Sequence, residues 1–175
     1  MLASTVPAVV PPALPAPVEF SLGDFVSTFG DSLLNAVREQ NPPIYNGQPH
    51  PGRDRVMDGL LRRPFDPQRE VVQACTALLI DAADPAAIIN AEMGTGKTIM
   101  AIATAAVMHA EGYERALVIS PPHLVYKWRR EIKQTVPNAR VWILNGPDTL
   151  RKLLSLRAML QRPTVPEFFI LGRVR

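Results

Sequence analysis

Ala87-Ile88-Ile89-Asn90 runs directly into Ala91-Glu92-Met93-Gly94-Thr95-Gly96-Lys97-Thr98. The first four residues predict a short buried strand, and Thr98 to Ala110 predicts a helix. Between them, Gly94 and Gly96 let the backbone curl so that successive N–H groups point inward. The start of the helix adds free donors and the positive end of its dipole. Such a loop is built to cradle phosphate, here with Ala91 standing where the usual pattern has its first glycine. In that pattern Lys97 reaches the β- and γ-phosphates and the Thr98 hydroxyl ligates Mg²⁺. Kinases, transport ATPases, small GTPases and helicases all carry one, so the loop alone predicts a nucleotide site and leaves the reaction open.

Outward from the loop the pattern alternates. Ala116 to Ser120 predicts a second strand, and Pro122 opens a helix with Leu124, Val125, Trp128 and Ile132 inward. Arg140 to Leu144 predicts a third strand, Pro147 opens a helix with Leu150, Leu153, Leu154 and Leu160 inward, and Phe168 to Leu171 predicts a fourth. Alternating strands and helices predict a parallel sheet with right-handed crossovers, and near-continuous apolar strands fit a sheet covered on both faces. The expected fold is therefore an α/β three-layer parallel sheet. Upstream, Asp66-Pro67 predicts a helix start with Asp66 as the cap. The stripe of Val71, Val72, Cys75, Leu78 and Leu79 makes Cys75 a core residue rather than a nucleophile.

Residues 21–39 predict a helix around Phe25, Phe29, Leu33, Leu34 and Val37, and Asn41 to Asp54 a loop rich in proline, glycine and asparagine. Residues 1–20 hold five prolines. They predict an extended, disordered tail rather than a secretory signal, because the first basic residue is Arg38. The expected organisation is a tail over 1–20, a helix and loop extension over 21–62, and the α/β domain over 63–175.

The chain has 175 residues, 47% of them hydrophobic and 20% charged, enough to build a core. A single cysteine excludes a disulfide scaffold and any cysteine-built zinc site. No apolar run approaches the ~18–20 residues of a membrane span, and an intracellular, cytoplasmic location is expected. The net charge of +3 hides an asymmetry: residues 1–120 carry 8 basic and 13 acidic side chains, residues 121–175 carry 11 and 3. The basic end is a candidate surface for a polyanion, or simply a solvated face. His50 and His109 have no partners at metal-ligand spacing.

Glu92-Met93-Gly94-Thr95-Gly96-Lys97-Thr98 resembles motif I of the Swi/Snf-type DNA translocases of helicase superfamily two, departing from its usual form at Ala91 and Thr95. Arg63-Pro64-Phe65-Asp66-Pro67-Gln68 is similar to the segment carrying that superfamily's adenine-reading glutamine. A glutamine amide both donates and accepts, which suits an adenine edge. The run from Leu117 through Ser120-Pro121-Pro122-His123 to Ile132 resembles motif Ia and its helix, and Val141 to Gly146 resembles the family's next strand and glycine. The resemblance covers roughly Arg63 to Leu171.

It implies a P-loop NTPase of RecA-like architecture, the first motor domain of an ATP-driven DNA translocase. ATP and Mg²⁺ would be the cofactors, with Gln68 and Glu92 to Thr98 binding nucleotide, Lys97 catalytic and Thr98 at the metal. Ser120, Pro121, Pro122, His123 and Lys127 would meet the backbone of duplex DNA without reading its sequence. His123 serves either DNA or the turn itself, and Trp128, by its spacing, belongs to the core rather than to a stacking platform. Superfamily-two motors also use an aspartate–glutamate pair and a second RecA-like domain. No adjacent Asp-Glu pair occurs in this sequence. The expectation is a fragment of a larger motor that does not hydrolyse ATP alone. A non-enzymatic nucleotide- or DNA-binding module and another phosphate-loop ATPase stand as alternatives.

Overall fold

The computed structural model describes residues 21–144, 146–158 and 164–172. The expected proline-rich tail, Asn145 and Leu160 lie outside them. The chain divides into two units, Met1–Pro43 and Ile44–Arg175.

In the first unit, α1 spans Leu22–Gln40. Ser21 caps it by accepting the Asp24 N–H at 3.1 Å. Its apolar residues are present at helical spacing, yet none of its side chains is buried.

In the second unit, α2 runs over Pro51–Asp58, where the sequence predicts loop as far as Asp54. Proline is tolerated in a first helical turn, where its missing N–H costs nothing. Gln73 holds the start of α2 by accepting from the His50 N–H and donating to the His50 carbonyl. Buried Arg53 reaches Asp81 with both terminal nitrogens, and its hydrogen bonds hold the Asp81 carboxyl below the ordinary carboxylate range. Met57 and Leu60 enter the core, so residues 44–62 pack with the α/β elements rather than apart from them.

Helix α3, Asp66–Thr76, continues as a π-helical turn over Ala77–Asp81. Its cap is Phe65 rather than Asp66. Gln68, three residues on, accepts the Phe65 N–H at 3.0 Å, a half capping box that places Asp66 inside the first turn. Cys75 is buried in this helix, as its spacing predicts, and burial raises its thiol pKa, keeping it protonated and inert. Helix α4, Lys97–Ala110, is the central element, burying Ile99, Met100, Ile102, Ala103, Ala106 and Val107.

Three strands follow: β1 Arg115–Ser120, β2 Arg140–Leu144 and β3 Glu167–Gly172. Helix α5, Val125–Thr135, lies between β1 and β2, and α6, Thr149–Ala158, precedes β3. The sheet is parallel in the order β1-β3-β2. Its register aligns Arg115, Glu167 and Arg140 across the strand starts. Glu167 is buried between the two arginines and ion-pairs with both, which charges against a slip in register.

The sheet's two faces differ. Ala116 and Val118, Phe168 and Ile170, Val141 and Ile143 share one face and pack into the core formed with α4 and α5. The opposite face carries Leu117 and Ile119 at 60% and 61% exposure. Phe169 and Leu144 on that same face are buried, so the expectation of a sheet covered on both sides holds for one face and only in part for the other. Leu150, Leu153 and Leu154 of α6, predicted inward, are exposed.

A second correction concerns Ala87–Asn90. It forms no strand, and Ile88 is 92% exposed while Ile89 packs partly buried against the core. An apolar run expresses a preference for burial, but a strand also needs a neighbour for its backbone groups. The ladder of described strands offers this segment none.

Candidate functional site

The glycine-rich loop has the shape its residues dictate. Gly94 and Gly96 both sit at φ +88°, a left-handed conformation that a side chain resists. Gly96 is the cap of α4, so the helix begins at Lys97 with its first N–H groups free of any side-chain cap. Between the glycines, the Thr95 hydroxyl donates to the Glu92 carbonyl at 2.8 Å and closes the turn. Thr95 is one of the two departures from the resembled motif. Here the departure supplies a loop-internal hydrogen bond that a leucine could not make.

Lys97 folds back over the loop. Its Nζ donates to the carbonyls of Ala91 at 2.8 Å and of Glu92 at 2.7 Å. A mobile ammonium with neutral acceptors is held by modest bonds and can pass to a more strongly charged oxygen. The side chains of Glu92 and Met93 are exposed, and Thr98 is half-buried in the first turn of α4.

Gln68 lies against this loop. While Oε1 caps α3 at Phe65, Nε2 donates to the Thr95 carbonyl at 2.9 Å. A side chain added at Gly96 would run into Gln68 Nε2. One amide thus ties the entry of α3 to the loop that opens α4. The sequence marks Gln68 as an adenine reader by resemblance. Its bond to Thr95 was not legible, because a contact between residues 68 and 95 leaves no local spacing. The cap at Phe65 had a signal in the glutamine at the third helical position.

The second group of candidate residues lies at the end of β1. Ser120 is buried, with its hydroxyl 3.4 Å from the Pro121 carbonyl. Pro121, Pro122 and His123 are exposed, and Pro122–Leu124 forms one 3₁₀ turn before α5 begins at Val125. Lys127, Arg129, Arg130 and Lys133 are exposed on α5. Trp128 packs against the core, as its spacing predicts. The basic stripe is interrupted by Glu131, which pairs with Arg62. Among the described residues no group of three His, Cys, Asp or Glu side chains is placed to hold a metal ion.

Comparison with known proteins matches residues 39–167 to the SNF2-related domain. The chain is 34% identical over 100 residues to the DNA excision repair protein CSB of Oryza sativa subsp. japonica. It is 36% identical over 91 residues to Protein CHROMATIN REMODELING 8 of Arabidopsis thaliana. These alignments take in 53% and 51% of this chain and 8% of either relative. The family match spans α2 through the start of β3 and so contains the glycine loop, Gln68 and the β1 turn together. On that match the chain belongs to the SNF2-related domain family.

Proposed function

We propose that this chain is the ATP-binding part of a RecA-like motor domain, working within a longer protein that couples ATP hydrolysis to movement on duplex DNA. The observation that carries the reading is the loop from Glu92 to Thr98, with two left-handed glycines and Lys97 poised on neutral carbonyls. Its residues suit a nucleotide. The backbone N–H groups at the start of α4 would hold phosphate oxygens, and Lys97 would exchange its carbonyl partners for the β- and γ-phosphates. Thr98 would provide a hydroxyl for Mg²⁺, with nucleotide phosphate oxygens and water as its other ligands. Gln68, with a second N–H and a second lone pair unspent, would read the adenine edge. Bound Mg-ATP would supply the phosphoryl group whose hydrolysis drives the motor.

With no adjacent Asp-Glu pair in its sequence, the chain is assigned binding rather than turnover. Pro121, Pro122, His123 and Lys127, with the backbone beside Ser120, would contact the DNA phosphate backbone. Such contacts position the duplex and read no sequence. The expected setting is intracellular.

Thermal melting with Mg-ATP tests the nucleotide assignment. Ligand at a hundredfold its Kd should stabilise the fold by about 2.7 kcal/mol, and Lys97→Ala should abolish that gain. A midpoint unmoved by Mg-ATP in the unaltered chain overturns the assignment. For DNA, filter binding at two salt concentrations should give an affinity that falls steeply with salt. No retention at low salt removes DNA docking from this part of the protein.

A further inference from the structure

The far edge of the sheet carries a second set of groups that the nucleotide site does not use. Among the described strands, β2 is terminal in the order β1-β3-β2. The Arg140 N–H donates to the Pro166 carbonyl at 3.0 Å, which fixes the parity of the ladder. Arg140, Trp142 and Leu144 therefore turn their backbone groups toward β3, and Val141 and Ile143 turn theirs outward. Lys152 confirms the direction by donating from Nζ to the Ile143 carbonyl at 3.1 Å. Among the described residues, the Val141 N–H and C=O and the Ile143 N–H are left without a partner along the edge.

An open groove of about 510 Å³ runs beside this edge, lined by Lys133, Ala139, Arg140, Val141 and Trp142. Lys133 is exposed and ion-pairs with no described residue. Arg140 keeps more than half of its side chain exposed, with Glu167 at 3.7 Å as its acidic partner. Trp142 holds a buried indole N–H with no acceptor among the described residues. The groove thus combines two cations and a backbone edge of alternating donors and acceptor.

We propose that β2 is a docking edge for an extended, acidic segment of another polypeptide, added to the sheet as a further strand. Charge selects the partner, because Lys133 and Arg140 flank the edge and no acidic side chain lines the groove. The backbone selects its class. A polypeptide strand presents N–H and C=O in alternation and can satisfy both kinds of group on Val141. A DNA phosphate backbone offers acceptors alone and leaves the Val141 carbonyl unmet. Lys152, capping the next carbonyl, limits addition to the first part of β2 and blunts the edge against pairing with neutral strands.

The test uses the full chain and a fluorescent ten-residue peptide alternating valine and glutamate, followed by anisotropy. Binding should be saturable and should weaken tenfold or more in the Lys133→Glu, Arg140→Glu double variant. The same peptide N-methylated at every second residue keeps its charge and loses its strand-pairing donors. It should bind at least tenfold more weakly to the unaltered chain, a comparison that does not depend on any variant folding. Absence of binding overturns the proposal. Equal binding of the methylated peptide also overturns it, leaving a charge contact without strand addition. Displacement of the peptide by an equal charge concentration of duplex DNA would assign the groove to nucleic acid instead.

Discussion

The two faces of the sheet are made of the same strands and nearly the same residue types, yet they are covered unequally. Phe168 and Ile170 look onto α4 and α5 and are buried, while Leu117 and Ile119 on the opposite face are more than half exposed. Side-chain chemistry therefore set which segments became strands, and the helices available on each side set what each side chain is worth. A leucine contributes to stability by the area it removes from water, and one that stays wet contributes little.

The largest test of that contrast is Phe168→Ala, which removes a fully covered ring from the core face. It should cost about 3–5 kcal/mol in urea denaturation, and a loss under about 1 kcal/mol would mean that the core face is as loose as the other. Glu167→Gln comes next. The side chain is buried between Arg115 and Arg140, but both arginines keep access to water. A loss of about 1–2 kcal/mol is expected, with the difference shrinking in high salt. Leu117→Ser, at the exposed β1 end of the opposite face, should change stability by no more than about 0.5 kcal/mol. A large loss there would show that something covers that face in solution.

The smallest effect concerns the helical layer behind the covered face, where Arg53 holds Asp81. The Asp81 carboxyl titrates lower folded than its ordinary value of 3.8. Its contribution is therefore complete above that value and is lost as pH falls through the lowered folded pKa. Asp81→Asn should flatten the acid limb of the stability curve below about pH 4, and only slightly, because Asp81 is more than half exposed and screened. An unchanged acid limb would remove the ion pair from the stability of α2.

The same contrast explains what could be read in advance. Strands β1, β2 and β3 were legible because each is a short apolar run bounded by turn residues. The glycine loop was legible because its chemistry is local, with every donor and both turns inside one stretch of eight residues. Ala87–Asn90 misled because the pattern that marks burial says nothing of whether a neighbouring strand exists. The leucines of α6 misled likewise, since their spacing makes a helical face without supplying a surface to meet it. Helix α2 was hidden by the proline and glycine at its start, residues that punctuate loops more often than they open helices. At the site, the identity of Gln68 was legible, but its bond to Thr95 was not. The acceptor is a backbone carbonyl, to which side-chain identity gives no clue.

Helix α1 stands apart from all of these, a helix of 19 residues with no buried side chain. Among the described residues, the contacts that order it are local: the Ser21 cap, and Phe25 and Phe29 with their rings 5.3 Å apart one turn along. Unfolding a helix of that kind uncovers little apolar surface, so its heat-capacity change is small. Its transition is broad, because a short helix without a packed face melts by fraying from its ends. A calorimetric trace of the whole chain would then sum two unlike events, a sharp peak from the core around α4 and a shallow slope from α1. Any partner that covered the phenylalanine stripe would reveal itself by turning that slope into a second peak.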